Sequence, residues 1–460
     1  MRLLPACLLV ALTGSPAVAQ DALSPELRGK IDAAVSDVLA RTGAPSASIA
    51  VVQDAALVYV HAYGTANLET GAPATPSMRY SVGSISKQFT ASALLLLAEQ
   101  QRLSLDDRLV RYLPDLTRAQ DVSLRQVLSM TSGYQDFWPQ DYVMPGMLRP
   151  VTPREILERW GRIPLDFEPG TRWQYSNTNY VIAGLVVEKV AGMPLLDFLR
   201  RQVFEPLRMT SVVDTDAAGL GPEDPVRYLR YAMGPLRPAP KEGRGWMFAA
   251  GELAMTAADL ARWDVSLIGQ SLLKPASYRA LETDVRLESG VGTGYGLGVG
   301  VSLSDGRRLV AHGGEVSGFT ARNVVYPDDK AAVVVLTNLD ATDASTQAAR
   351  KIASLLFAPA RTGPALEQVK QIFAELQKGR IDRSLFTANA SAYFGEQALR
   401  DFAASLGPLG APKEFTAAGQ SLRGGMTLRR YTVTLARHTL RITTFTMPDG
   451  RLEQYMVASQ

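Results

Sequence analysis

The spacing of apolar and polar positions divides the chain into blocks of different period. Over residues 25–41 apolar side chains recur at helical spacing (Leu27, Ile31, Ala34, Val35, Val38, Leu39), and Gly43-Ala44-Pro45 ends the run. Residues 48–52 and 56–62 then read as two strands joined by a short turn, which predicts an antiparallel hairpin. A turn-rich passage leads to Tyr80-Ser81-Val82-Gly83-Ser84-Ile85-Ser86-Lys87, followed by a stretch apolar on nearly every side as far as Ala98. A helix of that kind belongs in the middle of a large domain.

From residue 84 to about 270 the pattern is mainly helical. Short helices are expected at 106–113, at 123–130 with Ser123 as cap, and from Thr152-Pro153. A largely apolar helix is expected at 180–190, just after Tyr175-Ser176-Asn177, and another after the cap-like Thr256-Ala257-Ala258-Asp259. Residues 135–150, with Phe137, Trp138, Tyr142 and three prolines, form a long loop, a feature that in compact domains is often functional. Strand character returns at 295–301, 308–311, 319–326 and 332–336, and a closing helix capped by Asp343 runs to about 356. This order predicts an α/β domain over 20–357, an antiparallel sheet flanked by helices, with an all-helical domain inserted at about 84–285. A linker at 358–364 precedes a small α+β domain, 365–460, of two amphipathic helices and several alternating strands.

Composition narrows the function classes. Residues 1–19 have a positive start, an apolar run and an Ala17-Val18-Ala19 site, the pattern of a cleaved secretory signal, so a periplasmic or secreted protein is expected. The single cysteine, Cys7, lies in that leader, so the mature chain is expected to hold no disulfide and no thiolate metal site. Three scattered histidines, His61, His312 and His438, without an H-E-x-x-H, argue against a metal cofactor, and no cofactor is expected. A net charge of +3 with no basic run argues against nucleic acid or an anionic membrane as the main partner, and no transmembrane segment is expected. The expected partner is a small-molecule or peptide substrate; the composition leaves the oligomeric state open.

Ser84 and Lys87 sit three residues apart in the first turn of the buried helix, which places a hydroxyl and an amine on one face at the electropositive helix end. A chain of this length holds about one or two Ser-x-x-Lys by chance, and there is a second copy at Ser271 and Lys274. Pro275 disfavours helix at Lys274, so that copy is not expected to share a helical face. The bland alternative for Ser84 is a helix cap. Tyr175-Ser176-Asn177 and His312-Gly313-Gly314, taken singly, read as a turn and as a glycine bulge after a strand ending at Ala311.

Together, and in this order, the three motifs resemble those of the serine beta-lactamase and penicillin-binding-protein superfamily in its class C-like branch. That branch includes class C beta-lactamases, D-Ala-D-Ala carboxypeptidases, D-aminopeptidases and related esterases. The resemblance covers about residues 25–356 and matches Ser84/Lys87, Tyr175/Asn177 and His312/Gly314. It implies acyl transfer, with Ser84 as nucleophile and Lys87 and Tyr175 as one proton-accepting unit. A nearby Lys87 cation would lower the Tyr175 pKa. By the same resemblance, the backbone N–H groups of Ser84 and Glu315 form an oxyanion hole, donors worth roughly 3–4 kcal/mol each, and Asn177 bonds a substrate amide.

His312 stands where the lactamases carry lysine, which implies a carboxypeptidase or esterase more than an efficient lactamase. The aromatic loop at 137–142 favours an apolar acyl group, the esterase reading. A binder that acylates without turnover is the non-enzyme alternative. The C-terminal domain lies outside the resemblance; its helices-then-sheet order is similar to cystatin-like or NTF2-like folds.

Overall fold

A computed structural model describes residues 22–140, 142–304, 307–357, 364–423 and 425–459. The expected leader and, apart from Pro364, the linker lie outside the described residues.

The main body is a seven-stranded sheet. Helix α1 (Pro25–Thr42) precedes β1 (Ser46–Gln53), β2 (Ala56–Asn67) and the two-residue β3 (Ala72–Pro73). The remaining strands come from far along the chain: β4 (Gly300–Ser304), β5 (Arg307–Val316), β6 (Phe319–Tyr326) and β7 (Ala331–Thr337). Their order across the sheet is β3-β2-β1-β7-β6-β5-β4, and every neighbouring pair is antiparallel. The central strands are buried on both faces, as their near-continuous apolar runs require. Successive side chains alternate between two cores. Ile49, Val51, Val333 and Val335 face a core closed by α1 and the last helix of this domain, Ala344–Leu356. Ala50, Val52, Val334 and Leu336 face the larger core, against the helix Ala257–Gly269.

Helix α2 (Ser86–Glu99) runs through that larger core, with residues 86–97 all buried. Its polar side chains there have partners, as burial demands. Thr90 donates to the Ala249 carbonyl, and Gln88 bridges Trp263 and Asn323, which in turn donates to Asp264. Helix α3 (Asn177–Ala191) packs beside α2.

Several expectations need correction. The insertion is mainly helical but also holds a three-stranded sheet, Tyr80–Ser81, Leu253–Met255 and Val213–Asp214, and a small hairpin, Tyr228–Leu229 with Arg237–Pro238. These strands are too short to show a period. The helix expected at 106–113 is a single 3-10 turn, Leu109–Arg111. The strand expected at 295–301 begins only at Gly300, after Tyr295 bridges to Gly300 across a glycine-rich turn. His312, Gly313 and Gly314 lie within β5 and not after its end. Asp343 precedes the last helix without a side-chain capping bond and accepts from Gln347 instead.

Residues 364–459 form helices Pro364–Leu376, Ala388–Tyr393 and Glu396–Leu406, then a four-stranded antiparallel sheet in sequential order: Glu414–Arg423, Met426–Thr434, Thr439–Thr446 and Leu452–Ser459. Val369, Phe373, Phe394, Val433 and Ile442 centre a core of their own. The strand Glu414–Arg423 lies beside β4 of the main sheet. It was not expected from the sequence, because it is an edge strand with few β-branched residues and a bulge between Ala417 and Gly419. No described helix is long and apolar enough to cross a membrane.

Candidate active site

Ser84 sits in a 3-10 turn, Gly83–Ile85, that feeds directly into α2. Neither this turn nor α2 receives a side-chain cap bond, so Ser84 is not a helix cap. The turn lies against β5. Gly83 has φ of +52°, and a Cβ there would stand 2.8 Å from the Glu315 backbone nitrogen. At Gly314 a Cβ would stand 1.9 Å from the Val82 carbonyl oxygen. Glycine at both positions lets the nucleophile turn and the strand edge meet, which brings the Ser84 and Glu315 backbones together. Gly314→Ala is expected to destabilise the protein by about 1–3 kcal/mol through overpacking, read as a lower urea midpoint at unchanged m.

Lys87 is fully buried and its Nζ has three acceptors: Ser84 Oγ at 2.9 Å, Asn177 Oδ1 at 2.8 Å and the Ala250 carbonyl at 2.8 Å. None is a carboxylate. Burial pulls the Lys87 pKa down to about 7, against a weaker upward pull from Asp136. The neutral amine has one lone pair. Of its three partners only the Ser84 hydroxyl has a proton to give, since Asn177 Oδ1 and the Ala250 carbonyl can only accept. Deprotonated Lys87 therefore turns its lone pair to Ser84. The Ser271/Lys274 copy behaves differently, with Lys274 extended ahead of the helix Pro275–Glu282.

The expected effect of Lys87 on Tyr175 is corrected. The ammonium sits over the ring face, 5.0 Å from the centroid. Burial dominates and pushes the phenol above its ordinary value, with Ser84 pulling weakly the other way. Tyr175 is thus a protonated hydroxyl beside Ser84, not a phenolate. Asn177 has two partners within the protein. Its Oδ1 accepts from Lys87 and its Nδ2 donates to Asp136 at 3.1 Å, so the amide links the amine to a carboxylate. Asp136 further accepts the backbone N–H groups of Asn177 and Trp138, and burial raises its pKa.

His312 is buried beside Tyr175, with ring centroids 6.2 Å apart. Its Nδ1 meets the Gly313 carbonyl at 2.5 Å, a group that only accepts, so Nδ1 carries the proton and Nε2 accepts from the Tyr295 hydroxyl at 2.9 Å. Burial first, then Lys87, lowers its pKa to about 3, so the imidazole is neutral at working pH.

Ser84, Tyr175, Asn177, His312, Gly314 and Glu315 all line one cleft of about 680 Å³, with Lys87 in its floor. The Glu315 side chain turns away to accept from the Ala341 N–H. Trp138 and Tyr142 edge the cleft, whereas Phe137 is buried against Trp160 and Trp246. The sequence reading missed Asp136, the Ala250 carbonyl and Tyr295. Asp136 falls in the loop singled out for its length, but no spacing marks one carboxylate there; the Ala250 carbonyl is backbone and carries no residue signal.

A family model described as Beta-lactamase matches residues 31–357. Penicillin-binding protein 4* of Bacillus subtilis is 26% identical over 75% of this chain and 77% of that protein. A D-aminopeptidase of Brucella anthropi is 27% identical over 64% of this chain, which spans only 56% of that enzyme. Among solved structures, the octameric penicillin-binding protein homologue from Pyrococcus abyssi superposes with a TM-score of 0.62, covering 94% of this chain and 96% of that one at 22% identity. A match across the whole seven-stranded sheet and the whole insertion settles the family: the chain belongs to the beta-lactamase family and is a serine hydrolase of the beta-lactamase and penicillin-binding-protein type.

Proposed function

We propose that the protein is an exported hydrolase that forms an acyl-enzyme at Ser84 and acts on D-amino-acid amides or short peptides, with esters as a second substrate class. The charge of the cleft carries this reading. Its described lining holds Asp136, Glu315 and Asp340 and no lysine or arginine, and His312 is neutral. Such a cleft has no fixed cation for a substrate carboxylate, and with the Glu315 carboxylate turned to Ala341 it leaves Asp136 and Asp340 as the acids for a substrate ammonium. That favours aminopeptidase or amidase substrates over carboxypeptidase and lactam substrates. The D-aminopeptidase relative supports the same class.

Ser84 Oγ attacks the carbonyl carbon while its proton passes to Lys87 Nζ. The oxyanion faces the backbone N–H groups of Ser84 and Glu315. The C–N bond then breaks as the leaving nitrogen takes a proton from Lys87 by way of the Tyr175 hydroxyl. Water repeats the cycle on the ester and regenerates Ser84. Asn177 and Asp136 hold Lys87 in place throughout.

The test is a panel of D-alanine amide, its L form, its N-acetyl form, an acyl-D-Ala-D-Ala peptide, penicillin and p-nitrophenyl esters, with intact mass followed alongside product. The free amine is expected to raise kcat/KM about 10-fold or more over the N-acetyl form. Preference for the acyl-D-Ala-D-Ala peptide would return the carboxypeptidase reading, and efficient penicillin turnover the lactamase one. A permanent adduct without product would make the protein a sensor.

A further inference from the structure

Outside the catalytic cleft lies a second concavity of about 580 Å³, whose lining includes Asp214, Asp216, Glu252 and Glu188. One carboxylate oxygen from each of Asp214, Asp216 and Glu252 falls within 4.8 Å of the others. Backbone pairing fixes this arrangement. The short strands Val213–Asp214 and Leu253–Met255 pair with Asp214 opposite Leu253, and Thr215 donates both its N–H and its hydroxyl to the Glu252 carbonyl. Asp214 Oδ1 accepts the Asp216 and Ala217 N–H groups, which curls the chain so that Asp216 comes back toward Glu252.

Glu252 is 4% exposed and Asp216 is 9% exposed. Asp216 Oδ1 is buried with no hydrogen-bond partner among the described residues. An ionised carboxylate so placed is costly without a counter-charge. The protein cations nearby do not supply one at contact. Lys241 gives its Nζ to the Thr215 carbonyl, Arg244 stands at the rim, and no described ion pair joins either to the three carboxylates.

We propose that Asp214, Asp216 and Glu252 bind one Ca²⁺. Calcium takes oxygen ligands at 2.3–2.6 Å, so two donors on opposite sides of the ion stand about 4.6–5.2 Å apart, the reach of this cluster. The donors are all hard oxygens, with no imidazole or thiolate to select zinc or copper. The open side of the concavity leaves the remaining positions to water. The site is structural and does not rest on the substrate reading. It also ties down a segment the catalytic turn uses: Ala250 accepts from Lys87, and Leu253 donates to Ser86 Oγ and accepts from the Val82 N–H.

The full chain, stripped with EGTA and then dialysed to equilibrium against Ca²⁺ without chelator, is expected to take up one Ca²⁺ and to melt about 4 °C or more higher in millimolar Ca²⁺. Mg²⁺ at the same concentration is expected to give a smaller rise. Asp216→Asn and Glu252→Gln each replace a carboxylate ligand with a neutral amide, so each is expected to abolish the Ca²⁺ response. Absence of bound ion with equal Tm in EGTA and Ca²⁺ would overturn the site, as would a Ca²⁺ response undiminished in both variants. A larger shift with Mg²⁺ would overturn the assignment to calcium. Dialysis on the native chain decides the matter even if the variants fold poorly.

Discussion

Ser84→Ala is expected to lower turnover of every accepted amide or ester by about 10⁴-fold or more, and to remove any mass adduct, while leaving the fold intact. The size follows from the role. A nucleophile that forms the covalent bond has no substitute, so what remains is the rate supplied by binding and the oxyanion donors alone. The stability expectation follows from position. Ser84 is half-exposed at the cleft floor, makes no capping bond, and its partner Lys87 keeps Asn177 and the Ala250 carbonyl after the hydroxyl is gone. A melting curve close to the native one, with no adduct and no product, identifies Ser84 as the nucleophile. Product formation at near-native rate in the alanine variant would show that another residue does the chemistry.

How far the site was legible depends on what kind of interaction built each part. Ser84 and Lys87 were readable because both lie in one local turn, where spacing alone fixes which side chains meet. The helical and strand blocks were readable where their periods were long, as in α2 and β7. Tyr175 and His312 were placed only by their order relative to that turn, and their actual states follow from burial, which no spacing reports. The Tyr175 phenol is pushed up rather than pulled down because burial outweighs the weaker pull of Ser84. Asn177 turned inward because Asp136, some forty residues earlier, accepts from it. The carboxylate cluster at Asp214, Asp216 and Glu252 escaped a reading that sought metals through histidine and cysteine, since strand pairing and not sequence distance assembles it. The contacts that were missed are tertiary ones between side chains or backbone atoms far apart in the chain.

The pH dependence of acylation gives the sharpest test of which group takes the Ser84 proton. With a substrate that has no ionisable group, such as a p-nitrophenyl acetate ester, kcat/KM reports the free enzyme. Lys87, lowered to about 7, is a cation below that pH and a base above it. The profile is therefore expected to rise tenfold per pH unit on the acid side, bend near 7 and level above. His312, lowered to about 3, titrates far below this limb, and Tyr175, raised by burial, far above it. Lys87→Arg keeps a charge at every accessible pH, since a guanidinium does not deprotonate in proteins, and should lose the reaction across the whole range. Tyr175→Phe should be slower by about 10²-fold yet keep the bend in place, because the relay hydroxyl is lost and the base is not. Asp136→Asn tests the link between the bend and this buried charge. The Asp136 charge raises Lys87, so its removal should move the bend to lower pH, while the amide oxygen introduced by the substitution still accepts from the Trp138 and Asn177 N–H groups. A bend that disappears in Tyr175→Phe would transfer the base role from Lys87 to Tyr175, and a bend that stays fixed in Asp136→Asn would remove that role from Lys87.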